Sequence, residues 1–259
     1  MNANKGNELE EDPTILQWMS INGKTDYETD SDAMAHRSVL LSVAASFTVA
    51  DSLVFIFYDL CKHPEFIKEL REEAEQCLIS SGKWDRPTLD NMEKLESFMC
   101  ESQRTNPSLL LTCRRRVMKP ITLSDGLYLP RGTEIGMAAE EIANDPSVTP
   151  DPDKFDPFRS YRARQQPGEE SKHRFSTTTA NNLHFGYGTQ ACPGRQVALV
   201  VQKMVIASIL IGWDIRYPEG QSIPGGIIMD DMQIPRTGIK IEARRRKIAP
   251  GVPRVGILD

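Results

Sequence analysis

The sequence contains no CxxC pair, and its five cysteines (Cys61, Cys77, Cys100, Cys113 and Cys192) are odd in number. Those two absences argue against a disulfide framework and a structural zinc site, and they suit a reducing compartment. A basic excess is also missing: the net charge is −5, which argues against a dedicated nucleic-acid binder. Residues 1–11 are polar and acidic with no apolar centre, so neither a secretory signal nor a membrane anchor is read there. No internal repeat is visible. Two apolar stretches, 39–58 and 197–213, are broken by Ser42, Ser46, Thr48, Asp51 and Ser52 in the first and by Gln202 and Lys203 in the second. Both read as buried core helices rather than spans. What is present, 39% hydrophobic and 26% charged over 259 residues, is a soluble globular composition. It is long enough for one large domain or two small ones.

Residues 2–12 read as a frayed start and 14–19 as a short helix. Ser31 or Asp32 caps a long helix over 33–61, apolar on most sides and therefore mostly buried. His63-Pro64 ends it. A charged amphipathic helix follows over 65–80, with Phe66, Ile67, Leu70 and Ala74 as its stripe, then another over 89–106, stopped by Pro107. The character then changes to short strand candidates, 109–112, 117–123, 127–129 and 133–137, separated by Ser-Asp-Gly and Pro-Arg-Gly turns. The prolines of 146–157 exclude a helix or central strand there. Residues 160–182 are polar and read as an irregular surface loop, 196–213 as a helix, 215–242 as short strands and 249–259 as a tail. The fold class is mainly α with small β-sheets (α+β): a lead-in over 1–32, one domain over 33–248 and the tail.

The sharpest motif is Phe185-Gly186-Tyr187-Gly188-Thr189-Gln190-Ala191-Cys192-Pro193-Gly194-Arg195. It sets one cysteine in a glycine-rich loop directly before an apolar helix. A lone thiolate held that way suits the axial ligand of a haem iron. Gly186, Gly188 and Gly194 let the backbone pass under a flat macrocycle where a Cβ would clash. Pro193 fits the first turn of the following helix, whose N-terminal donors favour a thiolate. The frame Phe-Gly-x-Gly-x-x-x-Cys-Pro-Gly-Arg resembles the haem-binding loop of the cytochrome P450 superfamily.

Further stretches carry the same resemblance. Glu101-Ser102-Gln103-Arg104 resembles the superfamily's ExxR pair, and Phe155-Asp156-Pro157-Phe158-Arg159 its proline-rich loop, which makes Arg159 the third member of a buried network. Ala44-Ala45-Ser46-Phe47-Thr48 resembles the oxygen-binding segment. Thr48 would relay protons there after bonding to the preceding turn and opening the helix for a water. The usual acid before that threonine is replaced by Phe47, and Asp51, one turn on, is the substitute proton source. Arg116 of the Arg114-Arg115-Arg116 run aligns with a residue that pairs with a haem propionate; Arg114 and Arg115 read as solvated charges. Gln190 stands where the family usually has His or Arg and donates without charge. Tyr58-Asp59-Leu60, Leu129-Pro130-Arg131-Gly132 and Asn144-Asp145-Pro146 extend the match across nearly the whole chain.

The resemblance implies the C-terminal half of the cytochrome P450 fold, truncated before the oxygen-binding helix, in the style of fungal secondary-metabolism enzymes. It implies haem b on Cys192, with Phe185, Gly186, Gly188, Gln190, Gly194 and Arg116 around it. It also implies a small apolar substrate such as a terpenoid or polyketide, O2, and a flavoprotein NADPH-cytochrome P450 reductase docking on the cysteine side, where Arg195 and Lys203 would meet it. Phe47, Leu110 and Leu111 would face the substrate. Members of the family are usually anchored to the endoplasmic reticulum; this chain, read without an anchor, would be intracellular. The alternatives are a non-catalytic truncated remnant and a reductase-independent haem-thiolate isomerase.

Overall fold

A computed structural model of the chain describes residues 14–221 and 225–254. The frayed start expected over 2–12 and the last part of the tail, 255–259, lie outside the described residues. The chain divides into two compact units, residues 1–48 and 49–259.

The first unit contains α1 (Ile15–Asn22), α2 (Asp26–Thr29) and the first half of α3 (Ser31–Lys62). Local chemistry starts each helix. The Thr14 hydroxyl accepts from the Gln17 amide while the Gln17 side chain accepts from the Thr14 amide. Thr25 and Glu28 repeat that reciprocal cap on α2. The cap of α3 is Asp30, whose carboxylate accepts from the Ala33 amide at 2.9 Å, rather than Ser31 or Asp32. Val39, Leu40, Leu41, Val43 and Phe47 are exposed, so α3 is not mostly buried as its composition suggested. A helix that is apolar all round was read as core, but only its last turns, from Phe55 to Leu60, enter one. By length and composition α3 and α9 (Arg195–Gly212) could each cross a membrane.

The second unit is built on α4 (Ile67–Ser81), α5 (Arg86–Asp90), α6 (Glu93–Thr105) and α9, packed with the end of α3. The apolar stripe of α4, Ile67, Leu70, Ala74 and Leu78, is buried against α6 and α9. The single helix expected over 89–106 is two helices, because Glu73 of α4 ends the continuity. Its carboxylate accepts from the Lys94 and Leu95 amides at 2.7 and 2.8 Å and so caps α6 from a neighbouring helix. A carboxylate there also opposes the positive end of the helix dipole.

Among the described residues the second unit has four two-stranded antiparallel sheets: β1 (Leu111–Arg116) with β4 (Glu134–Ala138), β2 (Ile121–Thr122) with β3 (Tyr128–Leu129), β5 (Trp213–Arg216) with β8 (Glu242–Arg245), and β6 (Ile227–Met229) with β7 (Met232–Ile234). The register of β1 slips between Thr112 and Arg115, where Cys113 has φ +52°, a bulge that turns the strand.

Helices α2, α7 (Ala139–Asn144) and α8 (Arg159–Arg164) escaped the sequence reading. The polar stretch 160–182 is not wholly a surface loop either: Arg164 and Phe175 are buried, and Arg164 pairs with Glu93 at 3.0 Å. Ion pairs rather than apolar periodicity anchor that segment, so hydropathy missed it. Residues 249–254 are likewise not a loose tail. Val252 is buried, and the Trp84 indole donates to the Pro253 carbonyl at 2.8 Å.

Candidate functional site

The loop from Leu183 to Gly194 folds back on itself. Gly186 and Gly188 take φ +73° and +67°, a region open to glycine at little cost. They allow the Cys192 amide to donate to the Phe185 carbonyl at 2.8 Å, and the Ala191 amide to the Gly188 carbonyl at 3.1 Å. The Phe185 ring stands edge-on to the buried Phe175 ring at 5.5 Å, so the loop is rooted in the core. Gly194 caps α9, and Pro193 lies one residue before that cap rather than in the first turn. The Arg195 guanidinium donates to the Cys192 carbonyl at 2.8 Å. Cys192 itself is exposed, as is Gln190.

A buried charge network is built on α6, and His184 at the start of the loop lines a cavity with it. Glu101, 3% exposed, accepts from Arg104 through two bonds of 3.0 and 2.7 Å and from the Asp156 amide at 2.9 Å. The Arg159 guanidinium approaches the same carboxylate at 3.5 Å and donates to the Pro150 carbonyl at 2.6 Å. Arg104 also reaches the Asn144 side chain. Glu101 therefore ties α6 to the loop of residues 150–159, and Arg104 ties it to α7. His63 stacks on Phe155 at 4.4 Å and holds that loop from the other side.

Thr48 is exposed, and its hydroxyl donates to the Ala44 carbonyl at 2.8 Å with α3 unbroken, so no opening for a water is seen. Burial raises the Asp51 carboxyl above the usual range. Arg116 is exposed on β1 and pairs with Glu134 of β4 at 2.7 Å. Arg114, read as a solvated charge, pairs with Asp231 at 2.9 Å. Leu110 is pinned through its backbone: its amide donates to the Asp231 carbonyl and its carbonyl accepts from the Ala139 amide, both at 2.8 Å.

Comparison with known proteins decides the family. The profile described as Cytochrome P450 matches residues 11–240. The chain belongs to the cytochrome P450 family. It is 42% identical over 236 residues to the cytochrome P450 monooxygenase AN1598 of Emericella nidulans, covering 91% of this chain and 44% of that protein. It is 37% identical over 238 residues to an ent-kaurene oxidase of Gibberella intermedia, 90% of this chain and 45% of that protein. Cytochrome P450 monooxygenase paxP of Penicillium paxilli is 36% identical over 248 residues, 95% and 47%. The chain thus spans less than half the length of these relatives.

A P450 carries haem, and the cysteine loop fits a haem ligand. All five cysteines lie among the described residues, and Cys192 is the exposed one. Burial pushes the thiol of Cys61 up to about 11, that of Cys100 up to about 12, and that of Cys77 upward. Those three stay protonated. A Cβ at Gly194 would meet the Cys192 sulfur at 3.9 Å, so the glycine there leaves that side of the sulfur open.

One expectation about this P450 is overturned. Lys203 does not face a partner: its side chain is 1% exposed, and its ammonium donates to the Glu96 carboxylate at 2.7 Å and the Leu89 carbonyl at 2.8 Å. A cation on an apolar helix was read as solvated, and its acid lies more than a hundred residues earlier. Three supporting residues were missed for the same reason. Asp156 is used through its amide and Asn144 through its side chain. Asp59 of α3 accepts from the Asn106 side chain at 3.0 Å and the Ser102 hydroxyl at 2.5 Å, joining α3 to α6.

Proposed function

We propose that the chain is the thiolate-bearing part of a haem monooxygenase acting on a small apolar metabolite. The observation that carries this reading is the exposed Cys192 on a glycine loop rooted on Phe175, with His184 at its start lining one cavity with Glu101, Arg104 and Arg159. Haem b, when bound, supplies the iron at which dioxygen is activated for insertion of one oxygen atom into the substrate. Cys192 would provide the sulfur that holds the iron, and Gly186, Gly188 and Gly194 would keep the loop clear of side chains for the haem. Phe185 fixes the loop to the core. Gln190 and Arg116 would bind the propionates, Gln190 by a neutral donor and Arg116 after giving up Glu134. The Thr48 hydroxyl and the Asp51 carboxyl would hold and pass protons, the latter raised from its ordinary value by burial.

Apolar Phe47, Leu110 and Leu111 support a hydrophobic substrate. Similarity to an ent-kaurene oxidase favours a terpenoid-like molecule in a fungal secondary-metabolite pathway. Electrons would come from a flavoprotein NADPH-cytochrome P450 reductase inside the cell, docking where Arg195 lies. The test is an absorption spectrum of purified chain loaded with haem, reduced and exposed to carbon monoxide, beside Cys192→Ala. A strongly red-shifted Soret band that Cys192→Ala abolishes is expected. A band indifferent to the substitution overturns the reading.

A further inference from the structure

α9 starts three residues after Cys192, so whatever fixes the position of α9 along its own axis also fixes the cysteine loop. Most of its buried face is apolar: Ala198, Leu199, Ile206, Ala207, Leu210 and Ile211. Apolar contacts are non-directional, and they tolerate small slides and rotations. Lys203 interrupts that face with a fully buried ammonium.

Its two acceptors come from different segments. The Leu89 carbonyl lies near the C-terminal end of α5, where it also accepts from the Met92 amide at 3.1 Å, and Glu96 lies in the first turn of α6. Glu96 is itself held in place: it accepts from the Phe175 amide at 3.1 Å and from Arg174 at 3.3 Å. Burial would raise the Glu96 carboxyl, but Lys203 and Arg174 outweigh it and hold the group below the usual range. Glu96 and Arg104 are carried on the same helix, and Phe175 is the ring on which Phe185 rests. The Lys203–Glu96 contact therefore joins the helix after the cysteine, the helix of the ExxR network and the seat of the loop.

Desolvating both charges is costly, and Met with Leu would fill the same space. What the ion pair adds is direction. Lys203 lies about 12 Å along the axis from Arg195, and moving α9 by one residue would pull its ammonium from both acceptors.

We propose that Lys203, through Glu96, is a positioning residue that sets the axial register of α9 and thereby holds the Cys192 loop in its ligating place. The functional side of this rests on the haem-thiolate reading; the positional side does not.

The test compares Lys203→Met with Ile206→Ala, a cavity on the same buried face without a directional contact. Hydrogen exchange is measured without haem and referred to each variant's own global stability. Lys203→Met is expected to speed exchange of the amides of 185–199 about tenfold more than Ile206→Ala does. Glu96→Gln is a second variant should Lys203→Met not fold, and Lys203→Gln, which keeps a donor, should restore much of the protection. Equal loosening by Ile206→Ala, or no loosening by Lys203→Met and Glu96→Gln, overturns the proposal. In haem-loaded protein, Lys203→Met should lower the share of the red-shifted carbon monoxide band, and Ile206→Ala should not. A wild-type chain without a cysteine-dependent band defeats the haem reading alone, since the exchange comparison still decides the register.

Discussion

Arg104→Ala removes two of the three hydrogen bonds that the buried Glu101 carboxylate accepts, leaving the Asp156 amide and the more distant Arg159 at 3.5 Å. The lost arginine also releases its contact with Asn144 of α7. Stripping one partner from a buried ion pair costs about 3–5 kcal/mol. A domain has about 5–15 kcal/mol in total, so the variant should unfold in much milder urea and fail to retain haem. The cost comes from the stranded charge, which the double variant Glu101→Gln/Arg104→Met isolates. It leaves no buried carboxylate to strand, and the Gln oxygen still accepts from Asp156. Arg159 retains its backbone carbonyl partners at Pro150, Asp151 and Lys154. The double variant should therefore recover about 2 kcal/mol relative to Arg104→Ala in urea unfolding, a positive coupling in the cycle. A soluble, haem-retaining Arg104→Ala within about 0.5 kcal/mol of wild type, or a double variant weaker than the single, would refute the reasoning.

Two further perturbations test the packing described above. Burial, opposed in part by bonds from Ser102 and Asn106, pushes the Asp59 carboxyl up to about 6, against about 3.9 in an unfolded chain. The folded state then binds the extra proton, so this residue costs stability as pH rises from about 4 to about 6, by about 3 kcal/mol. Asp59→Asn should gain on wild type across that window and stay ahead above it; parallel urea midpoints at pH 4.5 and 7 would show the sign is wrong. His184 acts oppositely, since burial and then Arg104 push it down to about 4 and its stability is lost on acidification below its unfolded value of about 6.5. Deleting residues 249–259 should destabilise the chain, because Val252 leaves the core and the Trp84 indole loses its acceptor. Trp84→Phe should reproduce about 1 kcal/mol of that loss, measured by thermal unfolding, and an unchanged melting point after the deletion would mark 249–254 as a bystander.

The parts of this structure that were legible from sequence are the ones written in local chemistry. The cysteine loop is contiguous, so its glycines, cysteine and following helix could be read together. Glu101 and Arg104 lie one turn apart on a strongly amphipathic helix, and Arg159 was found only through the resemblance. The failures share a cause in long-range pairing. The break before α6 comes from Glu73 of α4, the burial of Lys203 from Glu96, and the anchoring of 160–182 from Arg164 and Arg174 meeting acids of α5 and α6. Charges at those positions look solvated until the partner is in place. The exposed half of α3 is the converse case, in which hydropathy names an apolar surface but not what lies against it.

The sheets hold a consequence for the order of assembly. Each one among the described residues has two strands, and an isolated two-stranded ribbon is marginal in water. None can serve as a folding nucleus. The contacts that bring α4, α6 and α9 together must form first, with Glu73 reaching α6 and Lys203 reaching Glu96. The β5–β8 pair then closes over the end of α9, and the β6–β7 hairpin docks on Leu109. Refolding should therefore be led by helix signal, with strand pairing completing last, and substitutions within the sheets should speed unfolding while leaving the folding rate nearly unchanged.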